Sequence, residues 1–126
     1  MAEMEINSDL SKNPIGSLSR IVQAASGLFL IFFVGVHLYV AHIDFGHPIQ
    51  FFAQVIQNMH NPWWLTFFIA FVWVISYHAV NGLGAVIKDV TMTRRAKSYV
   101  NIFLLVLFIL TGIYGTILAI LVSGIN

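Results

Sequence analysis

Two histidines stand inside long apolar stretches of this chain. His78 lies in the run Ser76-Tyr77-His78-Ala79-Val80-Asn81-Gly82, and His37 lies in a second stretch at a similar distance from any polar segment. An ionisable side chain at membrane depth is expensive and persists mostly where it has a task. The chain has no cysteine, and neither histidine has a carboxylate close by in sequence. An imidazole in that setting suggests an axial ligand of a haem iron before a proton relay or a zinc site. A hydrogen bond from each ring to a neighbouring helix is the plainer alternative.

The rest of the composition describes the elements that must position these rings. Of 126 residues, 59% are hydrophobic and 9% charged, and the mean hydropathy is +0.87. A soluble domain of this length needs more charge to cover its surface. Without cysteine there are no disulfides, no thiolate-bound zinc and no iron–sulfur ligands from this chain. No signal peptide is expected, because residues 1–19 are polar and carry Glu3, Glu5 and Asp9. Three segments reach the roughly 20 apolar residues that a membrane helix requires: 21–43, 63–87 and 99–122. Such continuous runs in a short chain cannot close a barrel, so the expected fold is an all-α integral membrane protein of three transmembrane helices, forming a single anchor domain.

All six basic residues fall on one side of this topology. Lys12 and Arg20 precede the first span, and Lys88, Arg94, Arg95 and Lys97 fill the 88–98 link between the second and third. The other link and the C-terminal tail have no Lys or Arg. The positive-inside rule therefore predicts residues 1–20 and the second link in the cytoplasm and the C-terminus outside. Trp63 and Trp64, just after Pro62, fit an aromatic belt at the outer face. In the outer link, residues 48–60 gather Ile49, Phe52, Val55, Ile56 and Met59 near one helical face, which suggests a short interfacial helix; an irregular loop is the competing reading. His42, His47 and His60 fall near the outer surface, where histidine is cheap.

Depth separates the two buried histidines. His37 is 17 residues beyond Arg20, roughly 25 Å from the cytoplasmic end, whereas His78 is 10 residues before Lys88, roughly 15 Å from it. One haem cannot easily take both; two haems at different heights could take one each, with the opposite ligands from another chain. Asn81, Gly82 and Ala85 share the face of His78, and their small size leaves room for a macrocycle or a close helix. Ser26, Leu30, Phe33 and His37 share a face of the first span. Gly112, Gly115, Thr116, Ala119 and Ser123 form a small-residue stripe on the third span, read as helix packing.

The stretch from Tyr77 through His78, Gly82 and Lys88 to Asp89 resembles the second-helix signature of the cytochrome b membrane-anchor subunits of succinate dehydrogenase and fumarate reductase: His, three residues, Gly, a short apolar stretch, then Asp. Ser26-Gly27, followed by His37, resembles the first helix of the same anchors. The three-helix layout extends the resemblance over residues 15–122. It implies that His78 ligates haem b. It also implies that His37 matches the histidine of two-haem members, since single-haem anchors usually have an apolar residue there. Ser26 and Gly82 would then belong to the haem surroundings. Lys88 and Asp89 lie where these anchors place groups near quinone and the iron–sulfur subunit. One departure is Ala24, where many single-haem members carry an Arg of the quinone site; Arg20, one turn earlier, is the candidate substitute or a partner for a haem propionate.

The function so implied is a non-catalytic subunit of a succinate:quinone oxidoreductase. It would pass electrons between iron–sulfur and flavoprotein subunits and membrane quinone, ubiquinone or menaquinone, with two haems shared with a second anchor subunit. The expected location is the cytoplasmic membrane of a prokaryote, with no nucleic-acid partner. Two alternatives remain open: a cytochrome b anchor of another oxidoreductase, which would usually have more spans and histidines, and a cofactor-free structural or transport subunit. Asp44 and Asp89 at span ends count against a transport path.

Overall fold

A computed structural model of the chain describes residues 14–43, 51–90 and 93–125. These form four helices: α1 (Pro14–His42), α2 (Phe52–His60), α3 (Pro62–Asp89) and α4 (Arg94–Ser123). Among the described residues there is no strand. Three helices are long and apolar enough to cross a membrane, over Gly16–Val40, Pro62–Asp89 and Arg94–Ser123. At 29, 28 and 30 residues, they measure about 42–45 Å, longer than the roughly 30 Å hydrocarbon core. Helix α1 accordingly starts ahead of the apolar run at Ile21 and carries Arg20 within it. Of the outer-link segment, residues 52–60 are helical as α2, and residues 48–50 lie outside those described, as do Asp44 and His47.

The helix ends follow from local chemistry. Asn61 caps α3, its side chain accepting from the Trp63 amide at 3.0 Å, and Pro62 takes the first-turn position, which has no amide bond to lose. Thr93 caps α4 by accepting from the Ala96 amide at 3.2 Å. Gln54 accepts from the Phe51 amide at 2.9 Å at the start of α2. At the end of α2, His60 Nε2 donates to the Ile125 carbonyl at 2.9 Å, tying the short helix to the chain beyond α4.

Helix α3 is the centre of the molecule. It packs against α4 along one side and α1 along another, while α1 makes no close approach to α4. The short α2 rests on both α3 and α4, with Met59 buried beneath it. The three spans thus form an open layer rather than a closed bundle. Large apolar side chains remain exposed along every span, among them Ile31, Phe32, Val86, Leu110 and Leu121. In lipid, where apolar exposure carries no penalty, such a surface is stable and free to pack against further helices.

The α3–α4 seam uses the small-residue stripe of α4. A Cβ on Gly112 would lie 2.6 Å from the Trp73 ring, and one on Gly115 would lie 2.5 Å from Val72. Beside them Trp73 Nε1 donates to Thr116 Oγ1 at 3.0 Å, and Trp73 meets Phe108 edge-on at 5.3 Å. Gly112→Ala is expected to destabilise this seam by about 1–3 kcal/mol, because a rigid indole ring cannot retreat from a methyl group as a flexible side chain can. A lower thermal midpoint of the detergent-purified protein, with Ala119→Gly as a control on the same helix, checks it.

Candidate functional site

The groove between α1 and α3 holds a cluster of polar side chains, Gln23, Ser26, His78 and Asn81. Ser26, on α1, is only 7% exposed, and it is the buried polar residue among those described. Its Oγ donates to the Gln23 carbonyl at 2.8 Å, one turn back on the same helix. The same oxygen lies 3.0 Å from His78 Nδ1 on α3. Gln23 adds two further ties across the groove. Its Nε2 donates to the His78 carbonyl at 3.1 Å, and its Oε1 accepts from Asn81 Nδ2 at 2.8 Å. Interhelical hydrogen bonds of this kind are worth about 0.6 kcal/mol on average in a membrane. Their larger effect is to fix where the His78 ring sits.

Two glycines permit the close approach. A Cβ on Gly27 would lie 3.2 Å from His78 Cε1, so α1 presses its backbone against the imidazole edge. A Cβ on Gly82 would lie 3.2 Å from Gln23 Nε2, so the glycine of the His-x-x-x-Gly motif makes room for the glutamine amide. The sequence left open whether Gly82 served a macrocycle or a close helix; it lies against the neighbouring helix, as Gly27 does.

The groove has a volume of about 470 Å³ and is lined by Arg20, Gln23, Gly27, His78, Asn81 and Lys88, with small residues between them. Lys88 folds back along its own helix. Its Cε lies 3.5 Å and its Nζ 3.6 Å from where a Gly84 Cβ would stand. Side chains on a helix tilt toward its N-terminus, so this cation is carried about one turn into the span. Arg20 and Lys88 therefore place two positive charges at one end of the groove that holds the His78 imidazole. Such an arrangement accommodates a large, flat group with an apolar body and anionic substituents at one edge. Asp89, the last residue of α3, is exposed and lines neither this groove nor the 270 Å³ groove between α3 and α4.

His37 is in a different environment. Its ring stacks on Phe71 at 5.6 Å and 23°, and meets Phe68 edge-on at 5.6 Å. Phe33 and Phe67 continue the aromatic packing at 5.0 Å. His37 Nδ1 is buried with no hydrogen-bond partner among the described residues. Gly27 marks the level of the His78 ring on α1, and His37 is ten residues further along, about 15 Å at the helical rise. The structure therefore brings Ser26, Arg20, Lys88 and His78 together, seats Gly82 behind them, and keeps His37 and Asp89 apart.

Gln23 is the residue that sequence reasoning missed. The available signal was its position three residues before Ser26, hence on the same face, as an uncharged polar side chain inside an apolar span. Asn81 stood on the His78 face for the same reason, without an assigned role.

The model of the succinate dehydrogenase/fumarate reductase transmembrane subunit family matches residues 4–121. A succinate dehydrogenase hydrophobic membrane anchor subunit of Thermoplasma acidophilum is 54% identical over 123 residues, 98% of this chain and 95% of that protein. A subunit of the same description from Archaeoglobus fulgidus is 30% identical over 115 residues, 91% of this chain and 94% of its own length. Near-complete coverage in both directions agrees with the three spans and the histidine-bearing groove between two of them: the chain belongs to the succinate dehydrogenase/fumarate reductase transmembrane subunit family, and it is a multi-pass membrane anchor.

Proposed function

We propose that this anchor binds haem b through His78 and passes electrons between the soluble part of a succinate:quinone oxidoreductase and membrane quinone. The observation that carries this reading is the His78 imidazole, held at 3.0 Å from Ser26 Oγ in a groove whose end bears Arg20 and Lys88. The donor set suits the group. One ring nitrogen has a hydrogen-bond partner, leaving the other for iron, and the two cations suit the carboxylates at a porphyrin edge. When bound, haem would supply one-electron transfer. The chain's own contribution is to orient the imidazole, neutralise the propionates and exclude water with apolar walls.

His37 serves a second haem at a different height in this reading. Its buried, unpartnered Nδ1 and its 15 Å offset from the His78 level support that role. A second anchor subunit would supply the remaining haem ligands and would also cover the open layer of spans. An iron–sulfur subunit and a flavoprotein dock at the end that carries Arg20, Lys88, Arg94 and Arg95, which the positive-inside rule assigns to the cytoplasm of a prokaryote. Lys88 and Arg20 at this end are also the groups offered to quinone, ubiquinone or menaquinone, whereas Asp89, next to Lys88 in sequence, is exposed and lines neither groove.

A reduced-minus-oxidised spectrum of the purified complex, with haem quantified per anchor chain, tests this. A b-type α-band with two haems per complex is expected. One haem per complex removes the role of His37. No α-band overturns the haem reading and leaves a cofactor-free anchor.

A further inference from the structure

The geometry points to Ser26 and Gln23 as positioning residues that fix both the tautomer and the height of the His78 imidazole. This inference rests on haem ligation by His78 and deepens it. A serine hydroxyl has a single proton. At 2.8 Å, Ser26 Oγ and the Gln23 carbonyl oxygen are two acceptors that attract only with that proton between them. The proton is therefore committed to Gln23, and the face of Ser26 Oγ toward His78 offers lone pairs alone. At 3.0 Å, His78 Nδ1 must then be the donor. The imidazole is held as the Nδ1–H tautomer, and its Nε2 lone pair is free for iron.

The Gln23 side chain sets the second coordinate. Its Nε2 donates to the His78 backbone carbonyl, and its Oε1 is held by Asn81, one turn further along α3. A carbonyl oxygen accepts two bonds, so His78 keeps its helical bond while Gln23 ties this point of α3 to α1. Gly82, at the end of the His-x-x-x-Gly spacing, is small because the Gln23 amide would stand 3.2 Å from any Cβ there. Three residues from two helices thus act on a single ring: Ser26 on its proton, Gln23 on its backbone, and Gly82 by leaving room for Gln23. None of the three needs to touch the cofactor.

An N–H of a ligating histidine that donates to an oxygen makes the imidazole a stronger ligand and favours ferric over ferrous iron. In the intact complex, Ser26→Ala is expected to weaken haem retention by about 10–100-fold. It should also move the midpoint potential of the haem component that His78 serves to a more positive value. Ser26→Thr, which keeps a hydroxyl at the same place, is expected to restore both. Gln23→Met, close in volume, is expected to loosen haem retention and leave the midpoint of the retained haem near the wild-type value, because the Nδ1–H bond to Ser26 survives. Should the alanine variant fail to assemble, the nearly isosteric Ser26→Cys tests the same shift. An unchanged midpoint and haem retention in Ser26→Ala or Ser26→Cys overturns the inference, as does a threonine variant indistinguishable from alanine. Absence of haem from the wild-type complex is a separate result, and it sinks the underlying function instead.

Discussion

Alanine at position 78 is expected to eliminate one b-type haem component entirely while leaving the anchor folded and assembled. The distinction rests on which atoms of His78 hold the fold. Gln23 bonds to the backbone carbonyl of residue 78, which alanine retains, and Asn81 continues to hold Gln23 from the other side. The α3–α4 seam, built on Trp73, Thr116 and Gly112, is remote from the ring. What disappears is a half-buried imidazole and the ligand it offers. Because Gly27 already lies against the ring edge, the space left is bounded by backbone and shaped like the lost side chain. Millimolar free imidazole is therefore expected to rebind there and recover part of the α-band. Difference spectra of wild-type and His78→Ala complexes, with and without imidazole, measure both effects. An α-band of full amplitude in the variant would show that His78 is a packing residue.

Much of this arrangement was legible in the chain. The spans followed from apolar length, and the α4 stripe of Gly112, Gly115 and Thr116 proved to be the surface on which Trp73 and Val72 pack. That Ser26 and His78 both faced inward could be read from helical periodicity. That they face each other could not, because periodicity assigns a residue to a face without saying what lies opposite. The glycines illustrate the same limit. Gly82 signalled room for a macrocycle or a close helix, but only the helix pairing reveals that it accommodates a glutamine amide and that Gly27 accommodates an imidazole. Lys88 was readable as a residue near the end of a span. Its fold back over Gly84 into two grooves depends on a side-chain path that no spacing encodes. The aromatic surroundings of His37 were hidden for a similar reason: Phe68 and Phe71 belong to α3, and their meeting with α1 is set by the height at which the two helices pack.

Those surroundings give the substitution His37→Leu two opposite outcomes. A buried polar atom without a partner costs about 1–3 kcal/mol, and His37 Nδ1 is such an atom. If the ring only fills space between Phe68 and Phe71, leucine relieves that cost and the protein becomes more thermally stable with an unaltered spectrum. If the ring ligates a second haem, the unpaired nitrogen is tolerated in exchange for the iron bond, and leucine abolishes that bond. The expected result is the second: haem per complex falls from two to one, and one of two redox midpoints disappears. The surviving midpoint is the one that Ser26→Ala displaces. The two sites lie about 15 Å apart along α1, a separation at which substitutions usually act independently. The survivor should therefore titrate near its wild-type potential, shifted only by the loss of a neighbouring charge. A redox titration that retains both components in His37→Leu, together with a raised thermal midpoint, would reduce the anchor to a single haem and leave His37 as an aromatic spacer with an unused nitrogen.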